Sequence, residues 1–351
     1  MTTKRDLKSI IRDRQQKTGE SYTAARVHVM RERAQLLGEP EPEVARSIRV
    51  EAAVLAIESP GTARIRILGE DEQITLRARD ANDLAPGQLV AVRIDKRRKH
   101  RGEAHAAGAI ERTWIDVTKL GLEPLPLEGG GLEDLRARYE AVRDPDPYAP
   151  LWRKLTAKPR PSYEMHGITW GEFPEEDPDD NPTVEAAELR AAGDLEGAYE
   201  LLMDTLLRDL RCLDAHAHLG NLVFDGTPDR AIVHYDIGIR IGELSFPDGF
   251  DGVLPWGCIF NRPFLRCLHG YALCCWRLGR TDEAARVLER ILAFNPNDNQ
   301  GARFCLQDIR EQTTWEQAQA RDDADDARRE DAVQKMRASR TESASSDEQL
   351  N

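Results

Sequence analysis

The sequence predicts a multidomain α+β protein with a helical hairpin first, a small β-barrel second and an α-helical solenoid last. Three observations predict it. Apolar spacing changes from helical to alternating near residue 47 and returns to helical near residue 183. The middle stretch is punctuated by turn residues at short intervals. A glycine followed five residues later by alanine recurs in the C-terminal half. The expected domains are 1–38, a basic helical hairpin; 47–117, a barrel; 118–182, a linker with a short helix; 183–312, helical repeats; and 313–351, a charged, mostly disordered tail.

Of the 351 residues, 40% are hydrophobic, enough for packed cores, and the formal net charge is -13. That acidity argues against a chain that coats nucleic acid or a membrane over its whole surface, but leaves room for a local basic patch. No run approaches the roughly 20 apolar residues of a membrane helix. Met1 to Arg14 lacks an apolar signal core. The expected location is cytoplasmic, with no membrane contact. The 6 cysteines lie in the C-terminal half without a CxxC pair, so buried reduced thiols are expected.

In the first segment Leu7, Ile10 and Ile11 fall at helical spacing, Thr18-Gly19 breaks the helix, and Ser21 can cap a second helix over Tyr22 to Leu37. Lys4, Arg5, Lys8, Arg12, Arg14 and Lys17 make the first helix basic, interspersed with Asp6 and Asp13, as on a solvated face. Glu39-Pro40-Glu41-Pro42-Glu43 cannot continue a helix.

Five β-rich runs follow: Arg49 to Ile57, Ala63 to Leu68, Gln73 to Arg79, Leu89 to Ile94 and His105 to Ile115. Ser59-Pro60-Gly61, Gly69-Glu70-Asp71 and Ala85-Pro86-Gly87 separate them. Five short strands at this spacing point to a small barrel of the OB or SH3-like sort. Between the last two runs a loop is expected that holds the densest positive run of the chain: Lys96, Arg97, Arg98, Lys99, His100 and Arg101. Its cations suit phosphate contact, which, together with the basic N-terminal hairpin, makes weak RNA or DNA binding an alternative function. The same charges would also serve a hairpin tip that must avoid edge pairing.

The connector carries Gly129-Gly130-Gly131, with no Lys-Ser/Thr after it to make a phosphate loop, then a helix-like stretch from Leu132 to Val142. Trp152, Tyr163 and Trp170 suggest tethering to a neighbouring surface, and Glu172 to Asp180 reads as an acidic linker.

From Thr183 the repeats begin. Gly193-Asp194-Leu195-Glu196-Gly197-Ala198 is echoed by Gly279-Arg280-Thr281-Asp282-Glu283-Ala284. Glycine ends one helix in a tight turn, and the small alanine lets the next helix approach closely. Leu268, Tyr271, Ala272, Gly279, Ala284, Leu288 and Pro296 fall at the offsets of the tetratricopeptide repeat (TPR) family, which this region resembles. Cys275 stands where an aromatic is usual and Ile291 where alanine is usual. Leu213 to Gly242 resembles a second copy, shortened between its helices, and the stretch before it, from Thr183 through Gly193 and Ala198, a first copy lacking the terminal proline. Trp256 to Gln300 also resembles a set of bacterial repeat proteins with Arg-Pro-Phe-Leu-Arg, His-Gly and Asn-Pro-Asn-Asp-Asn-Gln-Gly segments, which implies no reaction. An aromatic insert, Leu244 to Arg262, separates the second and third copies.

The resemblance implies that the first helix of each pair lines a concave groove. It would present Arg266, His269, Leu273 and Trp276 from the third copy, and Asp214, Ala217, Asn221 and Phe224 from the second. The candidate partner-binding set is Asn221, Trp256, Arg262, Phe264, Arg266, His269 and Trp276, suited to a carboxylate or a peptide backbone. The lysine set of carboxylate-binding co-chaperone repeats is missing. His216, His218 and His234 lack a matching carboxylate spacing, so no metal site is expected. Without a Ser/His/Asp spacing, nucleotide loop or carboxylate pair, the expected function is a scaffold that binds a protein or peptide segment; neither enzyme activity nor a cofactor is expected.

Overall fold

The computed structural model describes residues 4–19, 21–37, 47–70, 72–100, 102–136, 149–167 and 181–348. Arg101 and the segments 137–148 and 168–180 therefore lie outside the described residues, with the tip of the basic run, most of the helix expected over Leu132 to Val142, and Trp170 with the acidic linker.

Helices α1 (Lys4–Thr18) and α2 (Tyr22–Leu37) form the expected hairpin. Gly19 takes a left-handed φ of 70°, and Ser21 Oγ accepts from the Ala24 amide at 3.3 Å. Ile11, Ala25 and Val29 form its small core.

Strands β1 (Ile48–Ser59), β2 (Thr62–Ile67), β3 (Gln73–Arg77), β4 (Leu89–His100) and β5 (Glu103–Trp114) close into a barrel in the order β1-β2-β3-β5-β4. All pairs are antiparallel except β3 with β5. That order is the OB variant of the two barrels expected. Val54, Ile65, Ile74, Leu76, Val90 and Val92 point inward and are fully buried. The basic run is strand, not loop. Lys96 to His100 continue β4 and pair with Glu103 to Ala107, so the two strands project past the barrel as a ribbon. The run lacks the apolar alternation of a half-buried strand because both its faces meet water.

The connector is more than a linker. Strands β6 (Leu127–Glu133) and β7 (Arg160–Met165) pair antiparallel, with the short helix α3 (Ala149–Leu155) between them. Leu132 and Glu133 thus belong to a strand, not to the start of a helix. Gly130 fits there because a Cβ would meet Ser162 Oγ at 2.5 Å.

Three helix pairs follow: α4 (Pro182–Ala191) with α5 (Leu195–Arg208), α6 (Leu213–Val223) with α7 (Pro228–Glu243), and α8 (Arg262–Arg277) with α9 (Thr281–Phe294). Both predicted turns end in the same way. Gly193 and Gly279 have φ of 90° and 73°, and the amides of Asp194 and Arg280 reach back to the carbonyls of Leu189 and Cys275. Ala198 and Ala284 are fully buried where the helices touch. Helix α10 (Ala302–Arg310) packs on α9. Helix α11 runs from Trp315 to Glu348, so helix replaces the disorder expected over the last residues before 349.

The barrel is docked on the repeats. Ala186, Leu202 and Leu206 share a core with the barrel strands. The Pro86-Gly87 turn lies against α6 and α7 so closely that a Cβ on Gly87 would meet Ile237 at 2.6 Å.

Three buried histidines give this body a pH dependence. His216, His234 and His269 are held down to about 4, 3 and 4 because burial disfavours the imidazolium. Above pH 6.5 they are neutral folded or unfolded, and their contribution is fully present. Below it the unfolded chain takes protons that the folded state refuses. Each such histidine is expected to remove about 2 kcal/mol between pH 6.5 and 5. Urea midpoints measured across that window should fall steeply; a flat profile would contradict burial in the neutral form.

Candidate functional site

The first helices α4, α6 and α8 stand side by side and form the inner face of the repeats. On it Arg190, Asn221, Phe224, Asp225, Arg266, His269, Leu273 and Gln300 surround a cavity of about 350 Å³. Its floor is Tyr235, which reaches in from α7. The ring fits because Gly220 and Gly270 face it from α6 and α8, where any Cβ would overlap it. The Tyr235 hydroxyl donates to Asn221 Oδ1 at 2.6 Å, which fixes the amide and turns its Nδ2 away from the bond.

Two polar atoms of this wall are buried without a hydrogen-bond partner among the described residues, His269 Nε2 and Gln300 Oε1. Gln300 is oriented by its own Nε2, which donates to the Leu265 carbonyl at 3.1 Å. Buried polar atoms are normally satisfied, and two unsatisfied ones lining one cavity are groups that a ligand can satisfy.

Arg266 donates to Asp214 at 2.7 Å, with His218 at 3.8 Å on the other carboxylate oxygen. The pair separates this cavity from a second, of about 360 Å³, which Arg266 also lines. There Leu125, Met165, Val184, Ile259 and Phe260 supply apolar walls and Arg262 a second cation. Trp256 flanks the pair from outside, its ring 5.4 Å from the Arg262 guanidinium and 6.0 Å from that of Arg266, and its carbonyl accepts from Arg262 Nε.

Of the predicted residues, the fold brings Asn221, Arg266 and His269 together, with Arg262 and Trp256 adjacent. Phe264 is not available to a partner. It is fully buried among Phe246, Phe294 and Gly242. Trp276 is not available either. It meets Trp315 edge-on at 5.4 Å, and its Nε1 donates to the Thr313 carbonyl. Ala217, expected on the groove, is buried in the core. Helical spacing placed Phe264 and Trp276 on or near the groove face, but it could not show that the insert and α11 cover them. Arg190 and Gln300 were missed. Arg190 sits in the last turn of a helix whose repeat signal is weak, and Gln300 belongs to the loop after the third repeat.

The aromatic insert is packed down and is not a lid over the groove. Val253 joins β7 in a parallel bridge. Phe246, Phe250, Phe264 and Phe294 form one aromatic cluster. Buried Arg160 donates to the carbonyls of Asp251, Gly252 and Ala293 at 3.2, 3.0 and 2.7 Å. Asn261, fully buried, accepts from the Met165 amide at 2.8 Å and donates to the carbonyls of Tyr163 and Pro255 at 2.9 and 3.1 Å.

Among the described residues, His216 Nε2 bonds the Leu210 carbonyl at 3.0 Å, and no group of three His, Cys, Asp or Glu side chains is placed to hold a metal. Lys96, Arg97, Arg98 and Lys99 stand more than one element away, exposed on the ribbon, with Arg97 paired to Glu72.

Residues 265–309, from the first turn of α8 into α10, match the tetratricopeptide repeat family. This is a TPR-containing protein. None of the curated proteins compared with the chain matches it. The TPR match coincides with the third helix pair, where Leu268, Ala272, Ala284 and Leu288 fill the core and Tyr271 donates to Glu283 at 2.7 Å. A TPR points to protein–protein interaction in general. No helix among the described residues is long and apolar enough to cross a membrane.

Proposed function

We propose that the TPR-containing protein is an adaptor that holds an extended segment of a partner protein in the cavity between α4, α6 and α8, and that it acts by binding and not by catalysis. The observation that carries this reading is the unsatisfied pair His269 Nε2 and Gln300 Oε1 beside the Asn221 amide. A peptide unit offers one N–H donor and one C=O acceptor, which suit Gln300 Oε1 and Asn221 Nδ2. His269 is neutral at physiological pH, so its Nε2 donates or accepts according to tautomer. Arg190, exposed at the rim, adds a cation for an acidic side chain of the partner.

The test selects binders from a displayed peptide library on the full chain and measures their affinity for wild type and for Asn221→Ala and His269→Ala. Each lost bond is expected to weaken binding about tenfold. Peptides that bind the double variant as tightly as wild type would remove the cavity from the function.

A further inference from the structure

A second binding surface lies on the barrel, at the opposite end of its sequence logic from the repeats. The end of β3, the β1–β2 turn and the base of the ribbon enclose a trough of about 420 Å³, lined by Pro60, Gly61, Arg77, Ala78, Arg79, Asp95, Lys96, Ala107 and Gly108. The register explains its shape. Arg77 on β3, Ala107 on β5 and Lys96 on β4 are paired neighbours across three strands, and Thr75, His105 and Arg98 form the next row. Paired residues share a face of the sheet, so the small Ala107 lies between two long cations, Arg77 and Lys96. Gly108 keeps that floor low, since a Cβ there would collide with the Arg93 carbonyl.

Charge distinguishes this surface. The chain has 62 acidic against 49 basic residues, and most arginines around the barrel are neutralised: Arg49 by Glu111, Arg64 by Glu58, Arg93 by Asp95 and Arg97 by Glu72. Arg77, Arg79, Lys96 and Arg98 have no carboxylate partner among the described residues, and the one acid in the trough, Asp95, is taken by Arg93. In an acidic protein, three such cations lining one concavity, Arg77, Arg79 and Lys96, with Arg98 further along the ribbon, form a local field of the opposite sign to the whole.

We propose that this trough binds the sugar–phosphate backbone of a single-stranded nucleic acid. A protein segment fits poorly. The outer edge of β4 is open beyond Ile94, but Lys96, Arg97, Arg98 and Lys99 crowd it with charge that opposes strand addition, and a helix would need an apolar groove where Arg77, Arg79 and Lys96 line the trough. Cations two residues apart on one strand face, such as Lys96 and Arg98, repeat at about 6.6 Å, close to the stride between phosphates of an extended strand. No aromatic side chain lines the trough, so bases are left unread and binding is independent of sequence.

The test measures fluorescence anisotropy of labelled oligouridylate and oligothymidylate with the full chain between 50 and 200 mM salt. Three phosphate contacts on a single strand give a log–log salt slope near about -2, or roughly 20-fold weaker binding across that range. Arg77→Ala with Lys96→Ala should flatten the slope to about -0.7, while Arg112→Ala, elsewhere on β5, leaves it unchanged. Both cations are exposed, and an unchanged thermal midpoint confirms that the double variant folds. The proposal is overturned if the double variant binds like wild type, if neither oligonucleotide binds at 50 mM salt, if a duplex binds as tightly as the single strands, or if polyglutamate competes equally well.

Discussion

Gly270→Ala is expected to destabilise the repeats by about 3 kcal/mol, at the upper end for overpacking a close contact. A Cβ on Gly220 would sit 2.5 Å from the Tyr235 ring, and one on Gly270 closer still. The ring cannot retreat from either, because each glycine holds it against the other helix and its hydroxyl is tied to Asn221. The ring is 1% exposed and is gripped between the two helices. Urea unfolding of Gly270→Ala, Tyr235→Leu and the pair measures the effect. Shortening the ring should rescue part of the loss, with a coupling of more than about 1 kcal/mol. Additive losses would show that the contact does not limit the approach of α7 to α8. Because the same ring floors the cavity, the alanine variant should also weaken any peptide selected on wild type.

Asn261→Leu is expected to cost about 3 kcal/mol although it keeps the branching and the number of side-chain heavy atoms. The amide serves three backbone groups between connector and insert, and leucine removes all three bonds, although the Pro255 carbonyl keeps the Cys258 amide at 3.1 Å. Exchange of the Met165 amide should accelerate beyond that of amides in α8, because β7 loses its anchor before the repeat unfolds. Equal acceleration in both places would mean that the connector and the third repeat open as one unit.

The sequence made the barrel and the repeats legible because both follow short-range rules. Alternation in Ala63 to Ile67 located β2, and the glycines at 193 and 279 located two helix ends to the residue. What stayed hidden depends on partners far along the chain. Lys96 to His100 carry charge on both faces and so predict a loop, and only the Ala-rich β5 beside them makes them a strand. The hairpin of β6 and β7 was read as a linker because Gly129 to Gly131 weaken any strand pattern, and its true anchors, Arg160 and Asn261, bond residues 91 to 133 positions away. For the candidate site, helical spacing found Asn221, Arg266 and His269. It could not separate them from Trp276 on the same face, because burial by Trp315 is not encoded in that face, and it did not show that the insert covers Phe264 at the start of α8.

Arg160 also constrains the order in which a growing chain can assemble. Every strand of the barrel is made by Trp114, so the barrel can close while the repeats are still unsynthesised. The Arg160 guanidinium must wait for the Ala293 carbonyl, 133 residues later. At translation rates of about 5–20 residues per second that delay is roughly 7–27 s. Until residues 251–261 are made the connector hairpin has only its own pairing, and a two-stranded hairpin alone is marginal in water; its last bond waits for residue 293. Emergence of the third repeat from the ribosome is therefore the event that locks the middle of the molecule, and a chain stalled before residue 293 would carry a finished barrel on an unfastened neck.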